Sequence, residues 1–213
     1  FQGSKISVME HSHRDQVIVR LFEDTEARLK ALLDVGEAYR ILFLPGGATL
    51  QFSQVPMNLL DGGTAAYLTT GAWSQKAIKE AAKYGNVVEV ASSKESNFTT
   101  IPARESWQSP ADARYFHLCT NETIHGVEWF GSLTGLGMPV VADMSSHLLS
   151  RSMPIQEIDL IYAGAQKNLG TAGVTIVVVK QDLIDSSQYA TPGLMDYRGQ
   201  IANNSMMNTP PVY

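Results

Sequence analysis

The hydrophobic pattern along the 213 residues alternates between two rhythms. Short continuous apolar runs recur at "RILFL" (40–44), "AAYLTT" (65–70), "NVVEVA" (86–91), "RYFHLCT" (114–120), "MPVVADMS" (138–145), "DLIYAGA" (159–165) and "GVTIVVVK" (173–180). Such runs predict strands buried on both faces. Between some of them the spacing becomes helical. Ile18, Leu21, Phe22, Leu29, Leu32 and Leu33 share a helical face, with Ser12 as the expected N-cap, Asp15 closing a capping box and Gly36 as the stop. A helix after the "GG" pair is expected to be interrupted at Pro56, and "SQKAIKEAAKYG" predicts another ending near Gly85. "GVTIVVVK" follows its predecessor too closely for a crossover helix, so antiparallel pairing is expected. The sum is an α/β three-layer sandwich with a seven-stranded, mostly parallel sheet and one antiparallel strand. The polar stretch 92–112 is long for a connection and has room for a short element or a functional loop.

Composition narrows the function classes. Sixteen Lys+Arg against 21 Asp+Glu give a net charge of -5, which argues against nucleic acid and anionic membrane surfaces as partners. The longest apolar runs, such as "VTIVVV", fall far short of the ~20 residues of a membrane span. No secretory leader is evident, and Cys119 is alone, so the expected compartment is the cytoplasm. The chain starts at "FQGSK" and stops at "NTPPVY"; both ends read as cut, the first as native sequence or as the scar of a tag-cleavage site.

In an open parallel sheet ligands bind beyond the carboxyl ends of the strands, so the residues that follow each strand carry the functional reading. After "RILFL" comes "PGGATLQF", small residues opening a helix whose free N–H groups suit an anion, with Thr49 adding a hydroxyl; an ordinary glycine turn reads the same way. Trp73 follows the second strand, as core packing or as a plate over a flat ring. Asn121, Glu122 and Thr123 cluster after "RYFHLCT", as turn chemistry or as ligand contacts. Asp143 closes "MPVVAD" and could cap a helix, hold a metal or pair with a buried cation. "HSH" (11–13) lacks a third metal ligand and reads as helix entry. Gln166 and Lys167 follow "DLIYAGA" among residues too small for an ordinary surface lysine to need. An anion loop, an aromatic plate, a hydroxyl, a carboxylate and an amine together fit pyridoxal phosphate. Its aldehyde would take the lysine as an imine, and its pyridinium would take the aspartate.

With "SVMEHSHR", "GGATLQF", "TTGAWSQKAIKEAAKYG", "CTNETIHGVEW", "ADMSSHLLSRSMP", "IYAGAQKNLGTAGVTIVVV" and "MMNTPPVY" in order, the chain resembles the large domain of the phosphoserine aminotransferases. These are fold-type I pyridoxal-phosphate enzymes of the class V aminotransferase family. The resemblance implies that Lys167 bonds the cofactor, Gln166 touches its phosphate, Asp143 pairs with the ring nitrogen and Trp73 stacks on the ring. It implies that Thr123 meets the ring hydroxyl region and that Ala48 and Thr49 hold the phosphate. Asn208 and Thr209 would reach the phosphate in a partner subunit of a homodimer with shared sites. His13 and Arg14 would bind substrate. The implied reaction moves an amino group between glutamate and 3-phosphohydroxypyruvate, yielding phosphoserine and 2-oxoglutarate, in L-serine biosynthesis. The implied domain is residues 1–213, with the family's N-terminal segment and its C-terminal small domain, source of the main substrate-carboxylate arginine, outside this sequence. Full transamination would need those parts. The competing readings are another fold-type I enzyme, such as an alanine–glyoxylate aminotransferase or a cysteine desulfurase, and a catalytically inactive dimerisation module.

Overall fold

The computed structural model describes residues 1–187 and 190–211; the last two residues of "MMNTPPVY" lie outside them. The strands are β1 (Tyr39–Leu44), β2 (Thr64–Thr69), β3 (Asn86–Ser92), β4 (Ala113–Cys119), β5 (Asn121–Glu122), β6 (Val127–Glu128), β7 (Val140–Asp143), β8 (Leu160–Gly164) and β9 (Thr175–Lys180). The helices are α1 (Gln16–Leu33), α2 (Gly47–Leu59), α3 (Ala72–Ala81), α4 (Gln181–Asp185) and α5 (Tyr197–Ala202). Seven strands form one sheet in the order β1-β9-β8-β7-β4-β2-β3, and β5 and β6 form a separate small hairpin. Strand β9 runs antiparallel to both neighbours, β1 and β8; the pairs β8–β7, β7–β4, β4–β2 and β2–β3 are parallel. The expected class and the single reversed strand are both present.

Period-two alternation assigns the two faces. Ile41, Phe43, Phe116, Leu118, Ala142, Ile161 and Val178 point to one core, with Leu29 and Leu33 of α1. Leu42, Leu44, Tyr67, Tyr115, Val141, Tyr162 and Val177 point to the other, with Phe52, Val55 and Leu59 of α2. Fully burying one such side chain contributes roughly 1.5–3 kcal/mol. The 92–112 stretch contains two single 3₁₀ turns (Lys94–Ser96 and Arg104–Ser106) and Trp107, whose ring stacks on Phe116 at 5.1 Å. It covers the end of a core and is built of short elements. Among the described residues no helix is long and apolar enough to cross a membrane.

Three local expectations are corrected. Asp15, not Ser12, is the N-cap of α1; the Ser12 hydroxyl accepts from Arg14 N–H in a turn, and the capping box forms earlier, between Ser7 and Glu10. The helix stops at Asp34, in the left-handed conformation (φ 52°), before Gly36. Helix α2 runs unbroken through Pro56. The lost backbone bond is offset by burial of Phe52, Val55 and Leu59 on both sides of it, and Asn58 Nδ2 donates to Gln54 O across the same turn.

Candidate active site

The carboxyl ends of β2, β4, β7 and β8 meet the start of α2 in one cleft. Its lining includes Ala48, Thr49, Trp73, Asp143, Gln166 and Lys167. The turn from β1 into α2 requires its glycines: Gly46 and Gly47 both have positive φ (98° and 68°), and a Cβ on Gly46 would fall 2.4 Å from Leu50 Cδ2. No side chain caps α2, so the first-turn N–H groups of this 13-residue helix remain available to an anion.

Asp143 is nearly fully buried. Its Oδ1 accepts from Ser145 N–H at 3.0 Å and Ser145 Oγ at 2.6 Å, a turn in which the acid binds its own chain two residues on. Its Oδ2 receives no hydrogen bond from the described residues. Burial pushes its pKa up to about 6; the Ser145 bonds and the charge of Lys167 oppose that rise, and the charge of Glu122 adds to it. Ser145 Oγ also accepts from Gly164 N–H at 3.2 Å, which locks the ends of β7 and β8 together. Beyond β8, the Gln166 side chain folds back over Gly164, where a Cβ would lie 2.7 Å from its Oε1. The loop is pinned by Asn168 Nδ2 donating to Leu148 O at 2.8 Å.

Lys167 is exposed at the cleft. Its Nζ donates to Thr123 Oγ1 at 2.8 Å and lies 5.2 Å from the centroid of the Trp73 ring. It forms no ion pair with a carboxylate of the described residues. The Trp73 indole N–H is buried and has no hydrogen-bond partner among the described residues. An unanswered carboxylate oxygen, an unanswered indole N–H, an uncapped helix start and an unpaired amine fit a flat anionic group with a cationic ring atom and an electrophilic carbon.

The structure thus brings together Ala48, Thr49, Trp73, Thr123, Asp143, Gln166 and Lys167. It leaves Asn208 and Thr209 apart, in a hollow with Phe43, Leu44, Pro45 and Leu50 on the neighbouring side of the β1–α2 turn. His13 and Arg14 precede α1 and do not line the cleft; Arg14 Nε lies 3.4 Å from His13 Nε2. "HSH" does serve helix entry, since His11 Nδ1 meets Asp15 Oδ2 at 3.1 Å. Sequence reasoning missed Ser145, whose signal was the D-x-S spacing. It also left Glu122 undifferentiated in a polar cluster, because its partners are 48 and 49 residues away.

The class-V aminotransferase family model matches residues 2–212. The phosphoserine aminotransferase of Aromatoleum aromaticum is 50% identical over 220 residues, covering 100% of this chain and 60% of that protein. The solved phosphoserine aminotransferase from Bacillus circulans subsp. alkalophilus superposes with a TM-score of 0.92 at 43% identity, over 99% of this chain and 59% of that one. The pyridoxal-phosphate-bound phosphoserine aminotransferase from Trichomonas vaginalis does so with a TM-score of 0.92 at 39% identity, over 100% and 60%. The chain therefore spans about 60% of the length of such relatives.

Proposed function

Because this chain belongs to the class-V aminotransferase family, we propose that it is the cofactor-binding large domain of a phosphoserine aminotransferase. The reaction exchanges an amino group between glutamate and 3-phosphohydroxypyruvate on pyridoxal phosphate. The carrying observation is Lys167: an amine held by Thr123 at 2.8 Å, under the Trp73 ring, in a cleft whose aspartate keeps one oxygen free.

When bound, pyridoxal phosphate supplies an aldehyde carbon for an amine and a ring that takes up carbanion electrons. The protein's own groups do the rest. The first turn of α2, through Ala48 and Thr49, holds the phosphate, with Gln166 beside it. Trp73 fixes the plane of the ring and excludes water from one face. Asp143 Oδ2 holds a proton on the ring nitrogen, a task for which its other oxygen is already anchored by Ser145. Lys167 Nζ is the attacking amine. The same Nζ, when free, would be the base that receives the substrate Cα proton. Thr123 Oγ1 aims the amine and would serve the ring hydroxyl. His13 and Arg14 would serve the substrate's anionic groups only if the stretch before α1 closes over the cleft or faces a second subunit.

The partner reading is a homodimer with shared sites. Asn208 and Thr209 are exposed and lie outside their own chain's cleft, which suits service to a second copy. A desulfurase is disfavoured by Cys119: it is buried, and burial, with the charges of Asp143 and Glu122, pushes its thiol well above the usual range.

The test adds pyridoxal phosphate to the purified chain, follows the visible spectrum, reduces with borohydride and maps the labelled peptide. The expected label is on Lys167. Labelling of Lys76 or Lys79 instead, or no label at saturating cofactor, overturns the reading.

A further inference from the structure

Glu122 has none of its surface exposed, yet no cation pairs with it among the described residues. Its charge is met by the start of α3. Oε2 accepts from Trp73 N–H at 3.0 Å, while Oε1 accepts from Ser74 N–H at 2.8 Å and Ser74 Oγ at 2.6 Å. A carboxylate at a helix N-terminus is favoured by the dipole and by these charge-assisted bonds. The approach is built for it: a Cβ on Gly71 would fall 2.4 Å from Glu122 Cδ. Ser74 Oγ extends the reach, accepting from Thr70 and Gly71 N–H at 3.0 and 3.1 Å.

The same residue is held rigidly on its own side. Glu122 pairs with Val127 across the small hairpin, and its carbonyl accepts from His125 and Gly126 N–H. Its successor is Thr123, which holds the Lys167 amine. One dipeptide therefore ties the aromatic plate to the amine. Glu122 grips the backbone of Trp73, and Thr123 grips Lys167. Neither link is visible as a cleft contact of Glu122, which touches neither the ring nor the amine in any bond of the structure.

We propose that Glu122 is a positioning residue that sets the Trp73 ring against Lys167 by clamping the first turn of α3. The inference rests on the cofactor reading above for its functional consequence. Its geometric part concerns the cofactor-free protein alone. Glu122→Gln keeps the shape but turns an NH₂ toward backbone donors, so the clamp loses at least one bond and gains a repulsion.

The experiment has two readouts. The first is acrylamide quenching of Trp73 in the cofactor-free chain, with Trp107→Phe and Trp129→Phe making it the sole tryptophan. The second is pyridoxal phosphate affinity by titration. Asp159→Asn, at the opposite end of the strands, is the control for plain loss of stability. The expected result is freer quenching and about tenfold weaker affinity in Glu122→Gln, with neither change in Asp159→Asn. Parent-like quenching and affinity in Glu122→Gln overturn the proposal, as does an equal loss of affinity in Asp159→Asn. If Glu122→Gln does not fold, Ser74→Ala, which removes one of the three donors, must shift both readouts in the same direction; no shift overturns it. If the parent takes up no pyridoxal phosphate, the cofactor reading fails, and the quenching result alone still decides the role of Glu122.

Discussion

The two ends of the central strands carry the same pair of residue types and treat them in opposite ways. At the end away from the cleft, Asp159 is fully answered: Oδ2 accepts from Val140 N–H at 2.7 Å and Oδ1 from Lys180 Nζ at 2.8 Å. Lys180 also donates to Gln156 O and sits 5.6 Å from the Tyr39 ring. At the cleft end, Asp143 and Lys167 form no ion pair. Among the described residues the aspartate keeps an oxygen free in a buried place, where burial lifts its pKa, and the lysine hydrogen-bonds a hydroxyl and no carboxylate. A chain able to close an Asp–Lys pair at one end and leaving it open at the other is holding the second pair for something else. Unanswered polar groups cost stability, so the open end marks the place where a ligand completes the structure.

The comparison breaks most visibly at Lys167. Lys167→Ala should abolish covalent uptake of pyridoxal phosphate altogether, while its unfolding free energy stays within about 0.5 kcal/mol of the parent, as for other exposed positions. Retained borohydride labelling would erase the special status of the open end. Asp143 comes next. Its folded pKa, about 6, lies above the ordinary 3.8. From pH 4 to 6 the unfolded chain therefore gives up its proton while the folded chain keeps it, and stability falls as pH rises through that window. The penalty above pH 6 is about 3 kcal/mol. Asp143→Asn should remove it, so the cofactor-free variant should outlast the parent in urea at pH 7 and match it near pH 4. A gap independent of pH would contradict the open-oxygen reading. The closed end should respond in the reverse sense: Asp159→Asn should lose about 1–2 kcal/mol in urea with cofactor affinity unchanged. The smallest effect concerns a second copy. Mixing Lys167→Ala chains with Asn208→Ala, Thr209→Ala chains should restore one intact site per heterodimer, seen as a partial recovery of cofactor affinity. A monomer by sedimentation at micromolar concentration that binds cofactor as tightly as a full-length relative would sink the shared-site reading.

The sheet was legible, since each of the seven apolar runs is a strand; burial on both faces explains the inner ones, while the edge strand β3 is largely part exposed, with Val90 buried. The reversal of β9 was legible from the shortness of the connection before it. Pro56 misled because its local cost is outweighed by burial that only the assembled layers supply. Ser12 misled because three candidate caps, Ser7, Ser12 and Asp15, lie within nine residues and local pattern does not rank them. Within the site, residues that end strands could be named one by one. The bonds that join them could not, because Ser145 to Gly164 and Glu122 to Trp73 span separate strands.

Strand β9 also dictates when this sheet can close. Among the described residues it is the only partner of β1 in the sheet, and Arg40 on β1 meets Gln181 just beyond β9, 141 residues away. During synthesis β1 and the glycine turn that follows it have no strand to join until residues 175–180 have left the ribosome. The Lys167 loop waits for the same event, since Ala165 N–H bonds Val174 O only when β9 doubles back. Such long-range closure is slow. The cleft is then a late product of folding, and a nascent chain stalled before residue 175 would carry Lys167 on a loop not yet tied down by β9.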